Sequence, residues 1–392
     1  MSTETLLIEL GTEELPPKAL KSLGLAFRDG IVAGLEQREL GFGDVQWFAT
    51  PRRLAVQIAA VQLRAEDKEL EVLGPPVDRA KDADGNWTPA AAGFAKKQGV
   101  APEDLQNIDT PKGSRLGLAR TEPGIATADC LNDIINESIG ALPIPKRMRW
   151  GASRVEFVRP VHWVVAMLGT NCDHGNILGL PTGNITRGHR FHSSGDIVLN
   201  KPEDYVTALA DARVVASFEQ RQQMIRDQVE VEASALKANA VIDPDLLDEV
   251  TGLVEWPVAL TGSFEERFLE VPAEALISSM KEHQKYFHLV DEQGQLKPNF
   301  ITLSNIESKD PVQVIAGNER VIRPRLADAA FFFETDKKTS LADRVEKLES
   351  IVFQQKLGTL ADKTRRMEKL AGALAEKIGA PVDEARRAAG LS

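Results

Sequence analysis

The residues best suited to chemistry lie between Leu142 and Leu168, LPIPKRMRWGASRVEFVRPVHWVVAML. Five cations, Lys146, Arg147, Arg149, Arg154 and Arg159, fall between Pro143 and Pro160 against a single acid, Glu156, in a chain of net charge -11. Trp150, Phe157 and Trp163 are interleaved with them. This mixture suits a polyanion: Lys and Arg neutralise phosphates, and rings or guanidinium planes stack on unpaired bases. The same residues also read as a loop of solvated charges leading into a strand at Val161–Leu168. Residue type alone does not choose between the two.

Two further cationic groups follow. Thr186-Arg187-Gly188-His189-Arg190-Phe191-His192 offers Arg187, His189 and Arg190 as a second polar face, for a phosphate or a neighbouring acid. His189 and His192, with His162, His283 and His288, raise the question of a metal. Their i, i+3 spacing would put them on opposite faces of a strand, and no acid sits nearby in sequence, so no metal site is expected. The third group is Arg320, Arg323 and Arg325, placed directly before Leu326. It could bind phosphate or pair with Asp328, Glu334 or Asp336. Arg52 and Arg53 are further candidates. Phe331-Phe332-Phe333 is expected in the core, because three consecutive rings cannot all face one ligand.

Catalytic signatures are missing. There is no G-x-x-x-x-G-K-[ST] loop, no G-x-G-x-x-G after a strand and no G-x-S-x-G elbow, so no catalytic residue is assigned. Glu13-Glu14 is expected to favour the N-terminus of the following helix through its dipole. The Asp82–Asn86 run reads as a hairpin turn, and Ala92-Gly93-Phe94 stands where a calcium loop would need its closing acid. Only two cysteines occur, Cys130 and Cys172, outside any CxxC pair, which fits a reducing cytoplasm. No apolar run approaches the length of a membrane span, and the first ten residues carry acids where a secretory signal needs cations.

These residues need elements to hold them. A strand at Leu6–Leu10 and a helix at about Lys18–Leu40, with Ala19, Leu20, Leu23, Phe27, Ile31 and Leu35 on one side, open the chain. Strands at Val45–Ala49 and Leu54–Val61 complete a β-α-β-β unit. Gly74-Pro75-Pro76 marks a candidate boundary. Helices are expected at Pro89–Gln98, Ala126–Gly140, Pro202–Leu209, Phe218–Ala238, Leu246–Val254 and Pro272–Lys281. Strands are expected at Val161–Leu168, Ile177–Leu180, Val258–Thr261, Tyr286–Val290 and Asn299–Leu303. From Leu326 onward the pattern is helical, with helices at Leu341–Phe353 and Leu360–Ile378 and a buried stripe of Leu360, Met367, Leu370 and Leu374. The fold class is α+β and multidomain, with a β-rich middle and a helical C-terminal part. The expected divisions are 1–64, 65–200, 201–325 and 326–392. The end at Ser392, inside a helical pattern, reads as the N-terminal portion of a longer polypeptide.

Several long blocks together resemble one family. IELGTEELPPKAL (8–20), WFATPRRLAV (47–56), LPIPKRMRWG (142–151), FVRPVHWVVAMLG (157–169), TRGHRFH (186–192), LVEWPVAL (253–260), NFITLSNIESKD (299–310), GNERVIRPRLADAAFFFETD (317–336) and FQQKLGTLADKTRRM (353–367) are similar to the β subunit of bacterial heterotetrameric glycyl-tRNA synthetase. The resemblance implies a ligase of α2β2 composition that activates glycine with ATP and esterifies it onto its tRNA. It also implies that the catalytic site, with ATP and Mg, lies in the α subunit and that no cofactor is bound by this chain. A β subunit of this kind binds and orients glycine tRNA and docks on the α subunit, in the cytoplasm, with no membrane or DNA partner. Residues 65–200 are then expected to be B3/B4-like, and 326–392 to begin an HD-like domain. On this reading the RNA-contacting residues are Lys146, Arg147, Arg149, Arg154, Arg159, Arg187, Arg190, Arg323 and Arg325. An alternative is a scaffold that organises the α dimer while a further C-terminal domain recognises tRNA. A proofreading role lacks a nucleophile–base pair.

Overall fold

The computed structural model describes residues 2–82, 85–111 and 113–392. The chain divides into two compact units. The first comprises Met1–Gln228, Ile242–Ala259 and Leu303–Glu307. It begins with strand β1 (Thr3–Thr12), helix α1 (Pro17–Gln37), and the hairpin β2 (Val45–Thr50) and β3 (Arg53–Gln62). A small lobe follows: β4 (Lys68–Pro76), α2 (Pro89–Gln98), β5 (Gln106–Thr110) and β6 (Gly113–Glu122), with strand order β4-β6-β5. Then come α3 (Thr127–Ala141), the short pair β7 (Met148–Arg149) and β8 (Glu156–Phe157), and β9 (Val161–Leu168). After these run β10 (Asn176–Ile177), β11 (Leu180–Gly183), β12 (Ile185–Arg187), β13 (Asp196–Val198), α4 (Tyr205–Asp211), α5 (Phe218–Ala235) and α6 (Pro244–Thr251).

The scaffold is a six-stranded sheet in the order β10-β11-β9-β1-β3-β2. Both of its faces are covered. Along β1, Leu6, Ile8 and Leu10 enter one core with Leu20, Leu23, Phe27, Ile31 and Leu35 of α1 and Leu131, Ile134 and Ile135 of α3. Leu7 enters the other core with Phe48, Ala55, Val165, Met167, Tyr205 and Leu209. A strand buried on both sides loses simple alternation and reads as a continuous apolar run, which is how TLLIELG reads. Pro17 stands at the first turn of α1, where a missing N–H costs nothing.

Registry decides what occupies the second face. Gly11 pairs with Arg53 on β3 and with Trp163 on β9. Cross-strand partners share a face, so Arg53 and Trp163 flank a position without a side chain. A Cβ at Gly11 would fall inside the Trp163 indole.

The second unit comprises Val229–Val241, Leu260–Thr302 and Ser308–Ser392. Its sheet runs β14 (Asn239–Ala240), β16 (Phe287–Val290), β17 (Leu296–Ser304), β15 (Val258–Ser263). Tyr286 stacks on Phe300 at 4.4 Å between centroids. Helix α7 (Ala273–Ser278) and the long α8 (Pro311–Lys337) close that core through Leu276, Ile322 and Leu326. The end of the chain carries α9 (Leu341–Arg344), the pair β18 (Val352–Gln354) and β19 (Gly358–Thr359), α10 (Leu360–Ile378) and α11 (Val382–Leu391).

The α+β, multi-unit reading holds, and several local expectations change. Gly74-Pro75-Pro76 closes β4 and marks no break. Ile177–Leu180 is two strands, because Leu178 and Gly179 both take positive φ and turn the chain. The expected helix at Pro272–Lys281 is α7 followed by a π-helical turn at Ser279–Gln284. Helicity starts at Pro311 rather than Leu326, with Asp310 capping and Pro324 carried inside the helix. Leu341–Phe353 is one helical turn, a 3-10 segment and a strand. On α10, Met367, Leu370 and Leu374 are exposed, and Ala361, Gly372 and Ala375 are buried instead. Gly372 faces α11, where its missing side chain leaves room for the Arg386 side chain. Phe331 and Phe332 are also exposed, and only Phe333 packs on the core. The expected Asp82–Asn86 turn includes Ala83 and Asp84, which lie outside the described residues.

Gly11→Ala must displace the Trp163 ring or bend β1. Such overpacking costs about 1–3 kcal/mol or more, and urea unfolding should show it as a lower midpoint. An unchanged midpoint would mean that the ring is free to move.

Candidate nucleic-acid interface

A buried polar cluster stands at the β1–β3–β9 end of the first unit. Arg53 has no exposed surface, and Glu9 and Glu255 have at most 1% exposed. Arg53 Nη1 lies 3.4 Å from Glu9 Oε1, and Nη2 lies 3.2 Å from Glu255 Oε1. Arg53 Nε donates to Thr50 Oγ1 at 3.2 Å, and Nη2 donates to the Arg187 carbonyl at 3.0 Å. The Thr50 hydroxyl donates to Glu255 Oε1 at 2.7 Å, and that of Thr186 to Glu9 Oε1 at 3.0 Å. Trp163 receives three guanidinium groups, with Arg52, Arg53 and Arg187 at 5.7, 6.0 and 5.3 Å from the ring centroid.

The charges in this cluster are unevenly held. Burial pushes the Glu9 carboxyl above the usual carboxylate range, against the pull of Arg53. Burial pushes Glu255 upward too, but Arg53, the Thr50 hydroxyl, Arg52 and His189 outweigh it and hold it below that range. Burial lowers the His189 imidazole, which favours its neutral form. Arg221, fully buried, donates to the carbonyls of Val215, Ala216, Ser217, Thr251 and Ala49, and burial pulls it down to about 9. Arg53 is therefore a structural ion rather than an RNA contact. Arg52 is 11% exposed, donates to the Gly188 carbonyl at 3.5 Å, and belongs to the same framework.

Surface cations surround this framework. Glu13 N donates to the Pro160 carbonyl at 2.9 Å, and Arg159 Nε donates to the Glu14 carbonyl at 3.0 Å. Arg190 then pairs with Glu13 at 2.7 Å and Glu14 at 2.9 Å, and His162 meets Glu13 at 2.9 Å. The two acids therefore tie the basic segment to the 186–192 loop, a role different from dipole partners. The Arg190 hydrogen bond pulls the Glu13 carboxyl down to about 2. His189 and His192 do not diverge, because residues 190–192 form a turn that the Ser193 N–H closes on the His189 carbonyl at 3.0 Å, and their rings lie 4.8 Å apart.

The nine predicted RNA contacts are distributed as follows. Arg149 pairs with Glu156 at 2.5 Å across the β7–β8 pair, and Arg187 pairs with Asp196 at 3.2 Å. Arg147 donates to the carbonyls of Ile139 and Gly140 at 3.4 and 3.1 Å and closes the C-terminal end of α3. Lys146 and Arg154 are exposed and have no side-chain partner among the described residues. Lys146, Arg147 and Arg159 line a cavity of about 410 Å³ together with Pro16, Ala19, Leu23, Pro143, Ile144, Pro145, Met148 and Val158. Arg323 and Arg325 lie on α8 of the second unit, where Arg323 pairs with Glu265 at 2.7 Å and Arg325 is exposed. Of the rings, Phe157 and Trp163 are core, and Trp150 is half-buried against the first core. Among the described residues no three His, Cys, Asp or Glu side chains converge to hold a metal ion, and no helix is long and apolar enough to cross a membrane.

A family model for the glycyl-tRNA synthetase beta subunit matches residues 6–392. The chain belongs to this family. It is 55% identical over 392 residues to a glycine–tRNA ligase beta subunit of Chromohalobacter salexigens, covering all of this chain and 57% of that relative. Beta subunits of the same description from Marinobacter nauticus and Hahella chejuensis are 53% and 52% identical, again with 57% of the relative covered. The chain thus spans a little over half the length of these relatives. This glycyl-tRNA synthetase beta-family chain keeps its fixed ions inside the first unit and carries unpaired cations on the surface segment 143–159.

Glu9, Glu255 and Arg221 do not stand out in the sequence as site residues. The one available signal is a carboxyl set between apolar neighbours, Ile8-Glu9-Leu10, which if buried must be protonated or paired.

Removing Arg53 strands two buried carboxylates. Arg53→Met should cost about 3–5 kcal/mol, while Glu9→Gln should cost less, because it leaves Arg53 paired with Glu255 and keeps an acceptor for Thr186, and urea unfolding compares the two. Equal losses would contradict the network. The pH signs also differ. Glu9 has a raised folded pKa, so its contribution is present at low pH and is lost as pH rises through that value. Glu13 has a depressed one, so its contribution is present above 4.5 and is lost as pH falls toward about 2. In Arg190→Ala, carboxyl NMR titration should find Glu13 moved up from about 2 toward 4.5, with Glu14 and His162 still holding it down in part; a value still near 2 would assign the shift elsewhere.

Proposed function

We propose that this chain is the tRNA-binding and α-docking part of a glycine–tRNA ligase β subunit. It holds glycine tRNA while an α subunit, with ATP and Mg, activates glycine and transfers it in the cytoplasm. Chemistry is assigned to the α subunit, and this chain orients the RNA.

The observation that carries the reading is the segment 143–159. In an acidic chain of this family it gathers five cations against one acid, and it leaves Lys146 and Arg154 exposed, with no side-chain partner among the described residues. Cations committed to internal partners have already exchanged their water for protein. Unpaired ones keep their charge for phosphates, and each phosphate contact releases condensed counterions. Arg149 and Arg187 pair with single surface acids, Glu156 and Asp196. Exposed pairs of this kind are worth about 1 kcal/mol or less, so a phosphate can displace the acid. On α8, Arg325 and the Glu265-paired Arg323 are assigned the same role.

Lys146→Glu with Arg154→Glu should weaken glycine tRNA binding. The slope of log affinity against log salt should fall by roughly 0.7–0.9 for each phosphate that is no longer neutralised. Filter binding across a salt series reads both quantities. An unchanged slope with weakened association to the α subunit would make this face a protein-docking surface.

A further inference from the structure

We infer that the cavity between the start of α1 and the 143–148 segment receives one unstacked base of the bound RNA, with the adjoining phosphate on Lys146. This deepens the RNA-binding reading and rests on it.

The helix stripe of α1 supplies the first argument. Leu20, Leu23, Phe27, Ile31 and Leu35 are all buried, but Ala19 is only half-buried. The stripe at that point meets a cavity of about 410 Å³, within the range of small-ligand sites. Its walls there are Pro16, Ala19, Leu23, Pro143, Ile144 and Val158. None of these offers a side-chain donor or acceptor. Aliphatic walls of this kind take the face of a planar base by burying it, at about 25 cal/mol for each Å² removed from water, and do not read its edge.

Charge supplies the second argument. Lys146 is exposed and has no side-chain partner among the described residues. Arg159 commits Nε to the Glu14 carbonyl and Nη1 to the Val158 carbonyl, leaving Nη2 for a ligand. Arg147 is turned toward the end of α3 and fixes the segment instead. An apolar side chain from a protein partner would fill the same walls but leave these cations without a counter-charge. A nucleotide supplies both the ring and the anion.

Two variants and two RNAs test the assignment. Ala19→Trp fills the cavity from the helix, and Met148→Trp, at a 40% exposed position, fills it with the sequence of α1 unchanged. Each is measured in the complete subunit against glycine tRNA, which has unpaired bases, and against a blunt, fully paired RNA duplex. The expected result is a loss of about tenfold for tRNA, the worth of roughly 50 Å² of lost apolar burial, with duplex affinity and salt slope unchanged. Unchanged tRNA affinity in Met148→Trp overturns the assignment, and so does an equal loss for both RNAs. Loss of α-subunit binding in place of tRNA binding assigns the cavity to a protein partner and also overturns it. The Lys146→Glu, Arg154→Glu pair separates the two claims: if it leaves RNA binding intact, the RNA reading itself fails.

Discussion

One guanidinium organises the first unit. Arg53 is wholly buried, and burying an ion costs several kcal/mol unless each of its donors is satisfied. Here Nε, Nη1 and Nη2 all have partners, drawn from β1, the end of β2, the 255 position and the backbone of β12. Segments far apart in sequence are thus tied to one point. Gly11 makes the arrangement possible by leaving room for the Trp163 ring beside the guanidinium. The chain then leaves β1 through Glu13-Glu14 into α1, so the position of that turn follows from the buried ion.

The surface inherits this order. Arg159 holds the Glu14 carbonyl and Arg190 holds both acids of the turn, which fixes the basic segment and the 186–192 loop to the same point. Rigid placement matters for a charged face, because phosphates are spaced regularly and a floppy cation loses entropy on each contact. Some arginines serve as scaffolding, and other cations are left for a partner. Arg53, Arg221 and Arg147 mostly meet carbonyls or buried acids, while Lys146 and Arg154 have no side-chain partner among the described residues.

Much of this is legible in the sequence where local rules dominate. The α1 stripe, the Pro89–Gln98 helix and the Val161–Leu168 strand follow from periodicity and punctuation. The failures have physical causes. Pro324 hides a helix that tertiary packing of Ile322 and Leu326 carries through it. On α10 the leucines have the spacing of a buried stripe, but the buried face is that of Ala361, Gly372 and Ala375, with Gly372 making room for Arg386 of α11. Arg52 and Arg53 resemble surface cations in sequence because the carboxylates they meet, Glu9 and Glu255, are distant along the chain. The family is legible from the order and length of nine sequence blocks, a signal independent of any single side chain.

The most direct test of the account is amide hydrogen exchange of the subunit with and without glycine tRNA. The account predicts slowed exchange in 143–159 and in the Thr12–Pro16 turn that anchors it. Slowing confined to the second unit, or none at all, would contradict an RNA interface on this face.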